Sequence, residues 1–158
     1  MRIVKDYQAF CSKGGIGKKF STLFFNPCFH SVCLFRLSNL FYKIHLSVIS
    51  KIIWYINRML FHVDIDYRAD LAGGFVLVHG LGTVIGKEVK SEGRLMVYQG
   101  VTLGGNNNRT QELDDGTVIS QPLIKKNVKI YTNASVFGPV VISEDTIVKA
   151  HSVVTHNI

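Results

Sequence analysis

The chain has 158 residues, 47% of them hydrophobic, and a formal net charge of +7 at pH 7. This length suffices for one substantial core, or for a small helical part joined to a second structure. The basic balance favours an anionic partner, such as a polyphosphate-bearing cofactor, an acidic glycan or a membrane surface. The cations are spread along the chain without a nucleic-acid-binding motif, which argues against a specific nucleic-acid role.

Cysteine and histidine usage argues against a disulfide framework and against a metal site. Cys11, Cys28 and Cys33 are odd in number and form no C-x-x-C pair, so we expect reduced thiols. The histidines show no ligand pair with helical spacing, and no metal is expected. The first 20 residues lack the apolar segment and cleavage site of a signal peptide, which predicts a cytoplasmic protein.

Residues 1–62 are predicted to form a small α-helical N-terminal region. Apolar residues between positions 29 and 61 recur at spacings of three and four, which predicts helices near 29–43 and 46–61. Four basic residues interrupt this stretch, so no segment is long enough to span a membrane; they are Arg36, Lys43, Lys51 and Arg58. We expect these helices to pack on each other and on the rest of the chain. A basic amphipathic surface resting on the inner face of a membrane is the alternative.

Residues 63–158 show a six-residue period, with a two-residue slip after Leu77 and a long polar interruption at about 104–123. Aliphatic side chains occupy all these positions except Ser91: Ile65, Leu71, Leu77, Ile85, Val97, Leu103, Ile124, Ile130, Val136, Ile142, Val148 and Val154. A helix repeats every 3.6 residues and a strand every two, so neither makes this period. A chain that turns a corner every six residues does. The sequence therefore predicts a mainly β fold, a hexapeptide-repeat parallel β-helix.

The fifth position of each repeat is predicted to lie near a corner and to hold a small or β-branched residue. Those positions hold Ala69, Phe75, Leu81, Val89, Leu95, Val101, Val128, Ala134, Val140, Thr146, Ser152 and Ile158. Successive turns of the coil should stack their strands in parallel, with like side chains in ladders. The interruption at about 104–123 is long enough to be a functional or mobile loop. The pattern stops part-way through a repeat at Ile158, which predicts either a short coil or a fragment of a longer protein.

His79 is the candidate catalytic residue. It follows the aliphatic strand VLV and precedes GLG, so it should project at a corner where glycines let another group approach. A carboxylate on a neighbouring rung could orient the imidazole and stabilise its protonated form, as in sites where histidine takes a proton from a hydroxyl. Asp64 lies fifteen residues earlier, and Asp66 or Asp70 would serve as well.

The segments VDIDYRAD, VLVHGLGTVIGKEV and VYQGVTLGG resemble the serine acetyltransferase group of hexapeptide acyltransferases. That group carries DIHPAA, a His followed by a small residue and TG, then VVGE and VTLGG. Its aspartate-to-histidine interval matches without a gap, which puts the family's catalytic pair on Asp64 and His79. The helical segment NPCFHSVCLFRLSNLFY is also similar to the family's, so the resemblance covers roughly residues 20 to 158.

The resemblance implies a left-handed β-helix, a homotrimer with active sites between subunits, and acetyl-CoA as co-substrate. In this family a histidine deprotonates an acceptor hydroxyl, which attacks the thioester directly. The loop after VTLGG lies beside the pantetheine arm in the family, which makes Gly104 and Gly105 the implied cofactor-binding residues. Ala134 and Ala150, where relatives read GAGA and GAGS, are further candidates.

Departures from the family concern the residues that hold the amino acid. Val78 replaces the Asp before the catalytic His, and Ser120 and Gln121 replace an Arg-His pair. A buried zwitterion needs paired charges, so Val78 and Gln121, as substrate-binding residues, predict a neutral, hydroxyl-rich acceptor. We therefore expect an O-acetyltransferase for a sugar or polysaccharide of the capsule or O-antigen type. A serine O-acetyltransferase of cysteine biosynthesis is the alternative, and a non-catalytic hexapeptide-repeat scaffold is the second.

Overall fold

The structure is a computed structural model that describes residues 1–12 and 14–158. The helices are α1 (Arg2–Phe10), α2 (Ile16–Phe25), α3 (Pro27–Lys43) and α4 (Ser47–Phe61). The strands are β1 (Asp64–Ile65), β2 (Asp70–Leu71), β3 (Phe75–Val78), β4 (Val84–Ile85), β5 (Lys90–Ser91), β6 (Leu95–Tyr98), β7 (Thr102–Gly104), β8 (Gln111–Glu112), β9 (Val118–Ile119), β10 (Leu123–Ile124), β11 (Val128–Ile130), β12 (Ser135–Phe137), β13 (Val141–Ile142), β14 (Ile147–Val148) and β15 (Val153–Val154).

The strands form a left-handed parallel β-helix, which confirms the predicted fold. Three parallel sheets make its faces: sheet A in the order β1-β4-β7-β12-β15, sheet B in the order β2-β5-β10-β13, and sheet C in the order β3-β6-β11-β14. The chain therefore passes through sheets A, B and C in turn, and each circuit adds one coil to the β-helix. In the excursion, β8 and β9 pair antiparallel and form a hairpin outside the coil.

The six-residue positions form the ladders of the interior. In sheet A, Ile65 lies opposite Ile85 and Ile85 opposite Leu103, and every aliphatic residue of the predicted set is buried. Ser91, the exception, is buried too, and its hydroxyl accepts a hydrogen bond from the Ala72 N–H at 2.9 Å. A polar group inside the coil is thus satisfied by the adjacent turn, as burial requires.

Leu81, one of the fifth positions, lies at the corner between β3 and β4 but points outward and is 61% exposed. Thr83 lies inside the coil instead, fully buried, and its hydroxyl donates to the Tyr98 carbonyl at 3.2 Å. The reason is the two-residue slip, which enlarges the corner between β3 and β4. The extra residues are pushed outward, and the inward position moves two residues along the chain.

The two predicted helices correspond to α3 and α4. Asn26 caps α3, its side chain accepting from the Phe29 N–H at 3.1 Å, and Pro27 occupies the first turn. Not every apolar residue of α4 packs within the chain: on the outer face of the helix, Ile52 is 54% and Met59 59% exposed. None of the described helices is long and apolar enough to cross a membrane.

A buried ion pair joins the helices to the coil. Asp6 of α1 is fully buried and accepts from Arg36 of α3 at 2.8 Å. The same carboxylate accepts from the N–H groups of Gly74 and Phe75, each at 2.8 Å, where β3 begins. Arg36 also donates to the carbonyl groups of residues 71 and 72 at 2.6 and 2.7 Å. One charged pair therefore fixes α1, α3 and β3 relative to one another.

We predict that Asp6→Ala lowers the free energy of unfolding by about 3–5 kcal/mol, because it leaves the Arg36 guanidinium buried without its counter-ion and two backbone N–H groups buried without an acceptor. Urea denaturation followed by circular dichroism measures the effect. Asp70→Ala is the matched control, since Asp70 pairs with Arg2 at the exposed surface and should cost about 1 kcal/mol or less. Equal losses in the two variants would contradict the anchoring role of Asp6.

Candidate active site

His79 lies in the enlarged corner between β3 and β4 and is exposed. Its backbone is left-handed, with φ of 59°, a conformation in which histidine is enriched and which His45 and His151 share. Gly80 is buried behind it, and a Cβ there would lie 3.4 Å from the Leu77 side chain and 3.6 Å from that of Val63. Gly80 therefore packs the corner against the coil. The sequence pattern had instead predicted that this glycine lets another group approach His79.

Asp64 lies in β1 and is held by the helical region. Its two carboxylate oxygens accept from the indole N–H of Trp54 at 2.9 Å and contact the Arg58 guanidinium at 3.1 Å. Within residues 1–12 and 14–158, no hydrogen bond joins Asp64 to the His79 ring. A cleft of about 280 Å³ does bring His79 beside residues 62–63, which precede Asp64. The described contacts of Asp64 therefore do not reach His79.

The alternative carboxylates are committed elsewhere. Asp66 forms a bidentate pair with Arg68 at 2.9 and 2.7 Å, and its own turn follows β1 at the corner between sheets A and B. Asp70 lies on sheet B and pairs with Arg2 at 2.5 Å. Neither faces the corner that holds His79. Of the three predicted partners, Asp64 remains the candidate.

A groove of about 880 Å³ opens beside His79. Val78 and His79 belong to its lining, as do Tyr98 and Tyr131, whose ring centroids are 4.8 Å apart. Its described lining includes Lys18, Arg94 and Lys129 but no acidic side chain. The sequence did not predict this groove, because residues of α1, α2 and the start of α3 line its side opposite sheet C. Only the outward positions of β6 and β11 could have indicated it.

The predicted cofactor residues differ in accessibility. Gly104 faces open space, since a Cβ there would have no neighbour within 4 Å among the described atoms. Gly105 and Ala150 are exposed. Ala134 is fully buried, and its N–H donates to the Tyr131 carbonyl at 3.1 Å. Ala134 therefore has no surface to offer a ligand, and we leave it out of the proposed site.

Gln121 lies away from His79 within the chain. Its side-chain oxygen accepts from the Glu88 N–H at 3.1 Å, and its side chain covers Gly86, where a Cβ would collide with it. The Ser120 hydroxyl donates to the Glu88 carboxylate. These contacts stand at the corner between sheets A and B, whereas His79 stands at the corner between sheets C and A. The structure therefore does not bring Val78 and Gln121 together in one chain.

The chain matches curated serine acetyltransferases over most of its length. It is 31% identical to that of Buchnera aphidicola over 157 residues, which is 99% of this chain and 58% of the relative. It is 30% identical to that of Synechococcus elongatus over 132 residues, which is 84% of this chain and 51% of the relative. The chain thus spans little more than half the length of these relatives. No protein-family model matches it.

Solved structures share the fold. The serine acetyltransferase of Neisseria gonorrhoeae, in complex with serine, superimposes with a TM-score of 0.85 at 24% identity over 99% of this chain and 62% of its own. The Brucella abortus serine acetyltransferase gives 0.86 at 24% identity over 99% and 61%. A serine acetyltransferase in complex with CoA gives 0.85 at 22% identity over 99% and 62%.

The predicted preference for a sugar or polysaccharide acceptor is wrong, because the relatives and the structural neighbours are serine acetyltransferases. That prediction treated Val78, Ser120 and Gln121 as neighbours in one pocket. Ser120 and Gln121 are bound to Glu88 at a different corner, so their identities do not report on the acceptor beside His79 in the same chain. The chain is a serine acetyltransferase-like hexapeptide-repeat protein.

Proposed function

We propose that the chain transfers the acetyl group of acetyl-CoA to the hydroxyl of serine, with His79 as the general base. The observation that carries this proposal is the exposed His79 in the lining of a large groove, in a chain similar to serine acetyltransferases. An accessible imidazole beside a cavity can take a proton from a bound hydroxyl. The relatives' substrate gives the acceptor.

The reaction needs one proton acceptor and no covalent enzyme intermediate. The His79 imidazole takes the proton of the serine hydroxyl while the oxygen attacks the thioester carbonyl carbon. The tetrahedral intermediate collapses, the carbon–sulfur bond breaks, and the CoA sulfur leaves with the proton that the imidazolium returns. The products are O-acetylserine and CoA, and His79 regains its starting protonation state.

Asp64 is proposed as a positioning residue for this base. A carboxylate beside an imidazole stabilises the imidazolium that forms when the proton is taken. Each Asp64 oxygen has a second lone pair beyond those used by Trp54 and Arg58. The carboxylate can therefore accept from His79 without releasing the helix.

The site is proposed to be completed by a neighbouring copy in a homotrimer. Gly104 and Gln121 stand near the corner between sheets A and B, across sheet A from the corner that holds His79. A side-by-side arrangement of coils would place this corner of one copy beside the His79 corner of the next. Such a contact would bring Gly104, Gly105 and Gln121 to the acceptor groove that a single chain leaves open.

We predict that His79→Asn lowers kcat for serine-dependent release of CoA by about 10²–10⁴-fold, the usual contribution of a general base. Asparagine tolerates the left-handed backbone at this position, so the corner should keep its shape. Thiol release from acetyl-CoA with and without L-serine measures the rate. Isothermal titration with CoA should show unchanged binding.

The matched control for this variant is His45→Asn. His45 is also exposed and left-handed, with φ of 63°, but it lies in the turn between α3 and α4. The activity of the His45→Asn variant should equal that of the unmodified chain. If His79→Asn kept its turnover, His79 would not be the general base. If the unmodified chain released no CoA in response to L-serine, serine would not be the acceptor.

We predict that a shared site can be restored by mixing two inactive chains. Gly104→Trp should block the site without disturbing the coil, because the position faces open space. Every trimer that contains both the His79→Asn and the Gly104→Trp chain would keep one of its three sites, about one third, intact, with His79 from one copy and Gly104 from the next. Co-expression with two affinity tags, purification through both and assay of CoA release measures this recovery. Doubly tagged oligomers without activity would place the whole site in one chain.

A further inference from the structure

Helix α4 is packed with its polar side inward. Its buried residues are Ser50 and Asn57. The Ser38 hydroxyl of α3 donates to the Ser50 carbonyl at 2.7 Å, and the Asn57 amide donates to the Ser31 carbonyl at 3.2 Å. A helix pair in water normally buries aliphatic side chains and exposes polar ones. The contact between α3 and α4 has the opposite arrangement along these positions.

The outer face of α4 is apolar and exposed. At about 100° per residue, one face of α4 collects the side chains that we call the α4 outer face: Val48, Ile52, Tyr55, Ile56 and Met59. They are 69, 54, 57, 42 and 59% exposed, in that order. Leu40 near the end of α3 and Ile44 in the following turn are exposed as well, at 54 and 53%. A contiguous face of this size on a soluble chain is typical of an interaction surface.

The charges of the chain are divided between its two parts. Residues 1–62 carry nine Lys and Arg and one acidic residue, a net charge of +8, whereas residues 63–158 carry nine and ten, a net charge of −1. The one acid of the first part, Asp6, is fully buried against Arg36. Lys51 flanks the α4 outer face and is exposed. Arg2 and Lys43 pair with Asp70 of the coil, and Arg58 pairs with Asp64. Lys51 forms no ion pair among the described residues, so the edge of the α4 outer face carries an uncompensated positive charge.

We propose that the α4 outer face docks on the surface of an anionic lipid bilayer, with α4 lying in the plane of the interface. Small and polar residues between helices and aliphatic residues outward are the arrangement that lipid favours, and flanking cations supply attraction to anionic headgroups. A second copy meets the same face poorly, because α4 carries Lys51 and Arg58 and no acidic residue, so two such faces would oppose like charges. Charge complementarity thus selects anionic lipid over self-association.

The test is co-sedimentation of the full chain with vesicles. We expect the chain to sediment with phosphatidylcholine vesicles that contain phosphatidylglycerol, to stay in the supernatant with pure phosphatidylcholine, and to be released by salt. The triple variant Ile52→Ser, Tyr55→Ser and Met59→Ser should lose binding. Lys51→Glu should weaken it by about fivefold or more per cation removed. Circular dichroism should show unchanged helix content, since these side chains are exposed.

The matched control removes similar apolar surface from the coil. Val118→Ser, Ile147→Ser and Val153→Ser replace side chains that are 59, 53 and 68% exposed, and this variant should bind anionic vesicles like the unmodified chain. Three results would overturn the proposal: no binding to anionic vesicles, equal binding to neutral ones, or equal loss in the coil variant. A fall in oligomer mass for the α4 variant by light scattering, without vesicle binding, would assign the face to a chain–chain interface.

Discussion

The arrangement of the helices and the candidate site depends on the buried pair between Asp6 and Arg36. An ion pair out of water is tolerated only when its remaining hydrogen-bonding groups are satisfied, and here the backbone of β3 and the preceding turn does so. The pair therefore holds α1 and α3 at the start of β3. Because β3 ends at Val78, the same contact sets the position of His79 relative to the helices that line the groove.

The coil could be predicted from sequence because each rung position repeats a local requirement. An aliphatic side chain at every sixth residue fills the interior whatever the rest of the chain does, and the observed ladders follow that register. The enlarged corner could not be read the same way, because the period locates the slip but not which residue turns inward. At that corner Thr83 is buried in the coil and Leu81 is exposed. Likewise, periodicity revealed an apolar stripe on α4 but not that Ser50 and Asn57 would face α3.

The part of the candidate site that depends on neighbouring residues in the sequence could be predicted, whereas the part that several elements form together could not. His79 was found from its own neighbours, VLV and GLG. The groove was not, because α1, α2 and sheet C meet there through contacts far apart in sequence. The acceptor argument failed for a related reason. It combined Val78 with Gln121, which lie far apart in sequence and stand at different corners of one chain, where Gln121 covers Gly86.

Helix α4 connects the two proposals while keeping them separable. Its inner side carries Trp54, which donates to Asp64, and Arg58, which contacts the same carboxylate and lies over the Trp54 ring at 5.8 Å. Its outer face carries aliphatic side chains that make no contact on which Asp64 depends. Docking through the outer face would therefore leave the carboxylate in place, and loss of that face should change where the chain lies without changing the chemistry at His79. Activity and vesicle binding are expected to respond to different substitutions on one helix because its two sides meet different surroundings.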